Sequence, residues 1–240
     1  DPIDHSLSPN IHNAAFKELN MDCTYIAYRI PKGELLEGLE SLKKINISGF
    51  NVTIPHKVEV MKYIDKVDED CSLIGAANTI SYEGGVLKGY NTDMDGFLDP
   101  LHRRDIKMKD FQVLLLGAGG AARAIIAGLV KEHVKSIKIA NRTIDNANSL
   151  AQFANKIGMN TETSLLNEIK DVTNYDLIIN ATSIGLKNEP SPIPTKNIRK
   201  DSIVYDIVYN PMNTDLIKGA KERGATIIYG YEMLLGQAIR

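Results

Sequence analysis

The sequence contains few of the features that mark secreted, membrane-spanning or nucleic-acid-binding proteins. Only two cysteines, Cys23 and Cys71, occur in 240 residues, and they form no CxxC pair, which predicts a reducing, cytoplasmic compartment. No apolar run approaches the ~18 residues that a membrane-spanning helix needs. The 28 basic and 30 acidic residues nearly balance, so the chain lacks the basic surplus of a nucleic-acid-binding surface.

A metal site is not indicated either. The histidines are scattered and lack the spacing of metal ligands: His5, His12, His56, His102 and His133. The composition, 43% hydrophobic and 24% charged, is typical of a globular protein with a sizeable core. The chain begins at Asp1 without a methionine and stops within a predicted helix, so we expect that an element is missing on each side.

Residues 1–95 alternate between predicted helices and strands. A helix is expected after the cap Ser8, with Pro9 in its first turn. Apolar residues recur on one face of a second helix, at Leu35, Leu36, Leu39 and Leu42. The other predicted elements are strands over 24–30 and 47–54, a helix beginning at Pro55 and a hairpin over 76–92.

After residue 110 the pattern becomes a repeating strand and helix. Short, continuously apolar strands at 111–117, 136–143, 175–183, 202–208 and 226–230 are typical of a parallel sheet covered on both faces. A final helix is predicted from Tyr231. The sequence therefore predicts an α/β protein of two α/β domains, 1–95 and 96–231, with 232–240 returning to the first as a helix.

A glycine motif lies where the first of these strands meets its helix. The stretch LLLGAGGAARA contains Gly117-x-Gly119-x-x-Ala122. Gly117 allows the tight turn, Gly119 lets the backbone approach a pyrophosphate, and Ala122 permits close packing of the helix on the strand. The helix N-terminus offers N–H groups to the phosphates. This predicts a Rossmann-type nucleotide-binding domain; the alternative is a glycine turn without a ligand.

The end of the next strand indicates which nucleotide. An NAD site places an acidic residue about 20 positions after the glycines, whereas this chain has Asn141, Arg142 and Thr143. A guanidinium and a hydroxyl can receive a 2′-phosphate that a carboxylate repels, so NADP is predicted. The alternative for Arg142 is a solvated surface charge.

Short polar residues stand at element ends in the first domain. Ser6 and Ser8 precede a predicted helix, Asn51 and Thr53 share one face of a strand, and Asn78 and Asp93 flank the hairpin. Each alone is more typical of a cap or turn. Lys57 is expected in the first turn of a helix, where the macrodipole disfavours a cation, so another role is indicated.

Together these stretches resemble one family. HSLSP, FNVTIPHK, GAANT, GYNTDMDG, GAGGAARA, NRT, NATSIG and GYEMLLGQA stand in the order and spacing of the shikimate dehydrogenases, across essentially the whole chain. The resemblance implies an N-terminal substrate domain, a C-terminal NADP-binding domain and the reduction of 3-dehydroshikimate to shikimate with NADPH. Partners are then a small-molecule substrate and no nucleic acid or membrane, with the protein a monomer or homodimer.

The resemblance also assigns residues. Lys57 and Asp93 match the catalytic pair. The substrate-binding positions match Ser6, Ser8, Asn51, Thr53, Asn78, Tyr209 and Gln237. The cofactor-binding positions match Gly117, Ala118, Gly119, Gly120, Ala121, Asn141, Arg142, Thr143, Thr182, Ile207 and Gly230.

Reaction chemistry fits the catalytic pair. Reduction of a ketone builds negative charge on oxygen, which the ammonium of Lys57 can stabilise or protonate. A neighbouring Asp93 would hold that ammonium in place. Which of the two transfers the proton stays open, because a coupled pair titrates as a unit. Asp95 is interpreted as a cap or a solvated turn residue.

Several alternatives remain open from the sequence. Asn146 stands where many NADP-using members carry a second basic residue, so a 2′-phosphate would meet one fewer cation and NAD stays an alternative cofactor. A quinate/shikimate dehydrogenase of broader specificity, using NAD or NADP, is the nearest alternative. A non-catalytic sensor would be marked by loss of Lys57 or Asp93 or by an appended binding module, and neither is seen in the sequence. A Rossmann oxidoreductase with another substrate would leave the polar positions of the first domain unexplained.

Overall fold

The computed structural model describes residues 3, 6–45 and 47–240. Asp1, Pro2, Asp4, His5 and Asn46 lie outside the described residues. The chain forms two compact units, Asp1–Thr92 with Ala238–Arg240, and Asp93–Gln237. Each is built around a β-sheet. In the described part of the chain, no helix is long and apolar enough to cross a membrane.

The elements of the first unit are α1 (Ser8–Glu18), α2 (Leu35–Lys44), β1 (Gly49–Asn51), β2 (Lys66–Val67), α3 (Glu69–Ile74), β3 (Thr79–Glu83) and β4 (Val86–Tyr90). Its strands form a four-stranded mixed sheet in the order β1-β3-β4-β2. β3 and β4 form the predicted hairpin, whose turn glycines Gly84 and Gly85 have positive φ angles of 57° and 83°. In α2, Leu35, Leu39 and Leu42 are buried, whereas Leu36 is 51% exposed.

The prediction of a strand over residues 24–30 was wrong, because residues 21–30 of the described chain form no strand or helix. The backbone of Tyr25 is instead bonded by a side chain. Its N–H donates to Asn13 Oδ1, and its carbonyl accepts from Asn13 Nδ2, both at 2.8 Å. A side-chain amide thus satisfies the groups that a neighbouring strand would otherwise pair.

Two helix starts also differ from the prediction. Ser8 is the first residue of α1, and Leu7 takes the N-cap position that was expected for Ser8. The helix expected from Pro55 reduces to turns and a 3₁₀ helix over Glu59–Lys62, closed by short-range bonds such as Tyr63 N–H to Val60 O. Lys57 therefore lies in a turn, and the macrodipole argument for it does not apply.

The GYNTDMDG stretch enters a helix that was not expected. α4 (Asp93–His102) begins with Asp93 and carries Asp95 in its first turn. Acidic residues are favourable in this position because they face the positive end of the helix dipole.

The second unit contains, among the described residues, a six-stranded sheet with parallel pairing throughout. After α4, the elements are β5 (Gln112–Leu116), α5 (Gly120–Lys131), β6 (Ser136–Asn141), α6 (Ile144–Lys156), β7 (Thr161–Leu165), β8 (Leu177–Asn180), β9 (Ile203–Asp206), α7 (Asp215–Glu222), β10 (Thr226–Tyr229) and α8 (Gly230–Ala238). The strand order, β7-β6-β5-β8-β9-β10, is the doubly wound order of dinucleotide-binding domains, in which the direction of winding changes between β5 and β8.

The final helix was predicted to return to the first domain, and in the structure most of it is grouped with the second unit. A buried carboxylate, Glu232, forms a two-point ion pair with Arg104 near the end of α4. Gly96 of α4 lies directly against α8. These contacts hold α8 on α4; the bounds 1–95, 96–231 and 232–240 stay a prediction.

Candidate active site

Asn78 is the centre of a hydrogen-bond network in the first unit. Its side-chain oxygen accepts from the Thr92 N–H at 2.9 Å and from Thr79 Oγ1 at 3.1 Å, and its Nδ2 donates to Thr92 Oγ1 at 3.0 Å. Its carbonyl accepts from the Val52 N–H at 2.8 Å. Asn51 Nδ2 donates to Thr79 Oγ1 at 2.9 Å. The predicted residues Asn51 and Asn78 are therefore brought together through Thr79.

Tyr25 extends this network to the first helix, and the sequence prediction missed it. Its hydroxyl donates to Asn51 Oδ1 at 2.9 Å and is also hydrogen-bonded to Ser8. Burial raises the pKa of Tyr25, opposed by hydrogen bonds with the Ser8 side chain and the Asn51 backbone, so the neutral, donating phenol is favoured. His12 stacks on its ring with centroids 4.5 Å apart. One tyrosine thus connects Ser8 with Asn51.

The backbone of Lys57 is bonded beside Asn78, because its carbonyl accepts from the Ala77 N–H at 2.9 Å. The preceding His56 is buried, and its Nε2 lies 2.8 Å from the Ile30 carbonyl. These two contacts fix the turn from which the Lys57 side chain emerges. The sequence prediction gave His56 no role.

The other predicted substrate residues of this unit lie on its irregular segments. Ser6 Oγ accepts from the Ser8 N–H at 3.3 Å, which places the two serines at the start of α1. Thr53 is exposed just after β1, and its carbonyl accepts from the His56 N–H.

In the second unit, the glycine turn joins β5 to α5 as predicted. Gly117 has φ of +103°, and a Cβ there would lie 2.8 Å from the carbonyl oxygen of Ala181, so only glycine fits. Gly119 has no described atom within 4 Å of an added Cβ and precedes α5 without a side-chain cap from any described residue. The helix start thus presents its first N–H groups beside an open glycine. Ala118 lies in this turn, and Gly120 and Ala121 are the first two residues of α5.

The end of β6 presents the residues predicted to select NADP. Arg142 and Thr143 are exposed. Asn141 Nδ2 donates to the Thr143 carbonyl at 2.8 Å, which fixes the turn. Thr143 is the N-cap residue of α6, yet its hydroxyl makes no capping bond to any described residue. Guanidinium and hydroxyl donors at this position fit a phosphate group.

A buried network joins the loops after β8 and β9. Asp206 Oδ1 accepts from Asn180 Nδ2 at 2.9 Å and from the Val208 N–H at 3.0 Å, and its Oδ2 accepts from Thr214 Oγ1 at 2.6 Å. Asn180 Oδ1 in turn accepts from the hydroxyl of Thr182 at 2.7 Å. Burial raises the pKa of Asp206, although these hydrogen bonds oppose the rise. The network holds the predicted cofactor residue Thr182.

Three further predicted residues lie around the loop after β9. An added Cβ at Gly230 would clash with the Ile207 carbonyl oxygen, so the start of α8 contacts this loop directly. Tyr209 is half-buried, and burial raises the pKa of its phenol.

The two remaining predicted residues lie on α4 and α8. Asp93 is buried, with 5% of its surface exposed, at the start of α4. Gln237 is half-buried near the end of α8, and its Nε2 donates to the Leu234 carbonyl at 3.0 Å.

Family profiles match both units. Residues 1–80 match a profile described as the shikimate dehydrogenase substrate binding domain. Residues 101–199 match one described as shikimate / quinate 5-dehydrogenase.

Individual proteins match over nearly the whole chain. A shikimate dehydrogenase (NADP(+)) of Nitrosopumilus maritimus is 65% identical over 241 residues, covering 100% of this chain and 88% of that protein. A Thermus thermophilus shikimate 5-dehydrogenase in complex with NADP(H) and shikimate is 33% identical, with a TM-score of 0.85 over 99% of this chain and 87% of that one. A Corynebacterium glutamicum quinate dehydrogenase in complex with NAD is 28% identical, with a TM-score of 0.90 over 100% of this chain and 88% of that one. The chain therefore belongs to the shikimate dehydrogenase family.

Proposed function

We propose that this protein is an NADP-dependent shikimate dehydrogenase that reversibly reduces 3-dehydroshikimate to shikimate in the biosynthesis of aromatic amino acids. The observation that carries the proposal is the hydrogen-bond network that joins Ser8, Asn51 and Asn78 through Tyr25 and Thr79. It concentrates short polar groups in one unit of a family member. A polyhydroxylated acid needs such partners, because each of its hydroxyls is costly to bury unpaired.

Each polar position has a proposed task. Ser6 and Ser8 bind the substrate carboxylate, and Asn51, Thr53, Asn78 and Gln237 bind the carboxylate or the ring hydroxyls. Tyr209 contributes a phenol, kept neutral by burial. Lys57 and Asp93 form the catalytic pair: the ammonium stabilises negative charge on the substrate oxygen, and the pair exchanges a proton with it.

The second unit fits NADP(H), which supplies the hydride equivalent when bound. The open Gly119 and the N–H groups at the start of α5 receive the pyrophosphate. Arg142 and Thr143 receive the 2′-phosphate, and Asn141 fixes their turn. Thr182, Ile207 and Gly230 line the nicotinamide end, where Asp206 and Asn180 hold the loops.

The test is an initial-rate assay of purified protein, following the absorbance of the reduced nicotinamide with shikimate or quinate and with NADP⁺ or NAD⁺. We expect the highest kcat/KM with shikimate and NADP⁺. Absence of shikimate oxidation with both cofactors would contradict the proposed function.

A broader quinate/shikimate dehydrogenase is the second candidate. It is favoured by Asn146, exposed in the first turn of α6 where a second cation for the 2′-phosphate is missing. Comparable kcat/KM for both acids, or for both cofactors, would support it. From cysteine usage, the charge balance and the lack of a long apolar run, we further propose a cytoplasmic protein that binds neither nucleic acid nor membrane. We propose a monomer or homodimer only from the family resemblance.

A further inference from the structure

Helices α4 and α8 approach each other closely through two glycines. A Cβ added at Gly96 would lie 2.7 Å from both the backbone nitrogen and the Cβ of Gln237, and 2.9 Å from the Met233 carbonyl oxygen. A Cβ added at Gly236 would lie 3.1 Å from Gly96 Cα and O, and 3.4 Å from Asp99 Cβ. Most of these neighbours are backbone atoms, which cannot rotate away as a flexible side chain can.

A second contact fixes the other end of the helix pair. Arg104 Nη1 donates to Glu232 Oε2 at 2.8 Å, and Arg104 Nη2 donates to Oε1 at 3.1 Å, which makes a two-point ion pair. Glu232 is buried and also accepts from the Tyr229 N–H at 3.1 Å, at the start of α8. Such paired, charge-assisted hydrogen bonds impose direction as well as proximity.

These contacts make the two helices antiparallel and fix their relative position. Gly96, near the start of α4, meets the end of α8, while Arg104, just beyond α4, meets its start. Both contacts lie within the second unit. A slide or separation of either helix would break one of them.

The crossing lies beside two residues with proposed functions. Asp93 precedes Gly96 by three positions, close to one helical turn, so both lie on the same side of α4. Gln237 follows Gly236 directly and is itself in contact with Gly96. The backbone that carries the proposed catalytic carboxylate is therefore fixed against the backbone that carries the proposed substrate amide.

We propose that Gly96 and Gly236 are positioning residues, whose direct backbone contact fixes the location of Gln237 relative to Asp93 and lets these two substrate-side groups act as one rigid element. This inference rests on the proposed function. A side chain at either glycine separates the helices and displaces the amide from the carboxylate. Displacements on the scale of 1 Å are sufficient to lower turnover strongly.

The test compares Gly96→Ala and Gly236→Ala with a matched control, Gly128→Ala. Gly128 is also buried against α4, but an added Cβ there would lie 3.3 Å from side-chain atoms of Leu98 and Phe97 and does not meet α8. All three substitutions crowd α4, and only the first two alter the crossing. Thermal unfolding, steady-state kinetics and calorimetric binding of shikimate and of NADP⁺ are measured for each.

We expect Gly96→Ala to raise the KM and Kd for shikimate by at least about tenfold, with the Kd for NADP⁺ unchanged. Gly236→Ala needs the helices to move by only a few tenths of an ångström, so we expect a smaller rise in the same direction. If Gly96→Ala does not fold, Gly236→Ala still tests the proposal. Gly128→Ala should lose thermal stability without a change in shikimate binding.

The outcomes separate the two proposals. If the wild-type protein neither binds nor oxidises shikimate, the proposed function fails and this inference fails with it. If the wild type is active but Gly236→Ala binds shikimate as Gly128→Ala does, the positioning role alone is wrong. An equal loss of NADP⁺ and shikimate affinity in Gly236→Ala would likewise contradict it, because it would indicate a general loss of structure.

Discussion

In the first unit, Asn78 is hydrogen-bonded by side chains and by backbone groups outside the strands. Its partners lie as far away in the sequence as Val52 and Thr92. In the second unit, the glycine turn at Gly117 follows β5, whose last four residues are buried, and the backbone of Ala181 lies against the turn. The first unit thus presents groups that individual side chains position. The second presents backbone groups that the sheet positions.

This difference predicts how each unit responds to substitution. Removing one side chain from the first unit should change substrate recognition or turnover while the nucleotide still binds. Adding one methyl group to the glycine turn of the second unit should weaken nucleotide binding where the glycine is open to the ligand. Where the added group meets other atoms of the protein, the free energy of unfolding should fall as well. The experiments below test this distinction.

The largest effect is expected for Lys57→Ala. Loss of the ammonium removes charge stabilisation and proton transfer at the substrate oxygen, so we expect kcat to fall about 1,000-fold. NADP⁺ affinity, measured by calorimetry, should not change, because the nucleotide residues belong to the second unit. Asp93→Asn should lower kcat comparably.

The control for Lys57→Ala is Lys62→Ala. Lys62 ends the 3₁₀ helix of the same segment and is exposed, so its loss should leave kcat as in the wild type. Normal turnover in both Lys57→Ala and Asp93→Asn would remove the catalytic assignment.

A smaller effect is expected at the glycine turn, where two alanine substitutions should differ in kind. Gly119→Ala adds a Cβ that no described atom approaches within 4 Å, so the fold should keep nearly all its stability. The methyl group would occupy space that the pyrophosphate needs, and we expect the Kd for NADP⁺ to rise by about 10- to 100-fold.

Gly117→Ala is the matched comparison. Its φ of +103° and its 2.8 Å approach to Ala181 O make alanine strained, and we expect a loss of about 1–3 kcal/mol in the free energy of unfolding. Thermal unfolding and NADP⁺ calorimetry on both variants distinguish the two effects. An equal loss of stability in both variants would contradict this distinction. It would show that the fold itself, and not the bound nucleotide, requires glycine at both positions.

The second unit was the easier one to predict from the sequence. All four residues of β8 and of β9 are buried, so each appears as a continuous apolar run bounded by polar residues. The glycine motif then fixed the start of α5. β7 was missed because it has no buried residue and its sequence, TETSL, contains a single apolar residue.

The first unit was harder because its structure depends on distant partners. Nothing local indicates that the Asn13 amide bonds the backbone of Tyr25, so residues 24–30 were wrongly predicted as a strand. Lys57 was identified through a family motif. The same holds for Asp93, the first residue of the second unit, where the helix that it begins was not expected. Tyr25 was missed because, as one of ten tyrosines, it has no distinguishing neighbour in sequence.

The smallest effect is expected for Tyr25→Phe, which removes one hydroxyl and keeps the ring that stacks on His12. Loss of its bonds to Asn51 and Ser8 frees both side chains to reorient. Since a single hydrogen bond contributes about 0.5–1.5 kcal/mol, we expect the KM for shikimate to rise by about 3- to 10-fold. The KM for NADP⁺ should not change.

The matched control is Tyr28→Phe. Tyr28 is an exposed tyrosine of the same irregular segment, so neither KM should change in this variant. If Tyr25→Phe and Tyr28→Phe behave alike, side-chain positioning through Tyr25 is wrong, and recognition in the first unit must depend, as in the second, on its backbone.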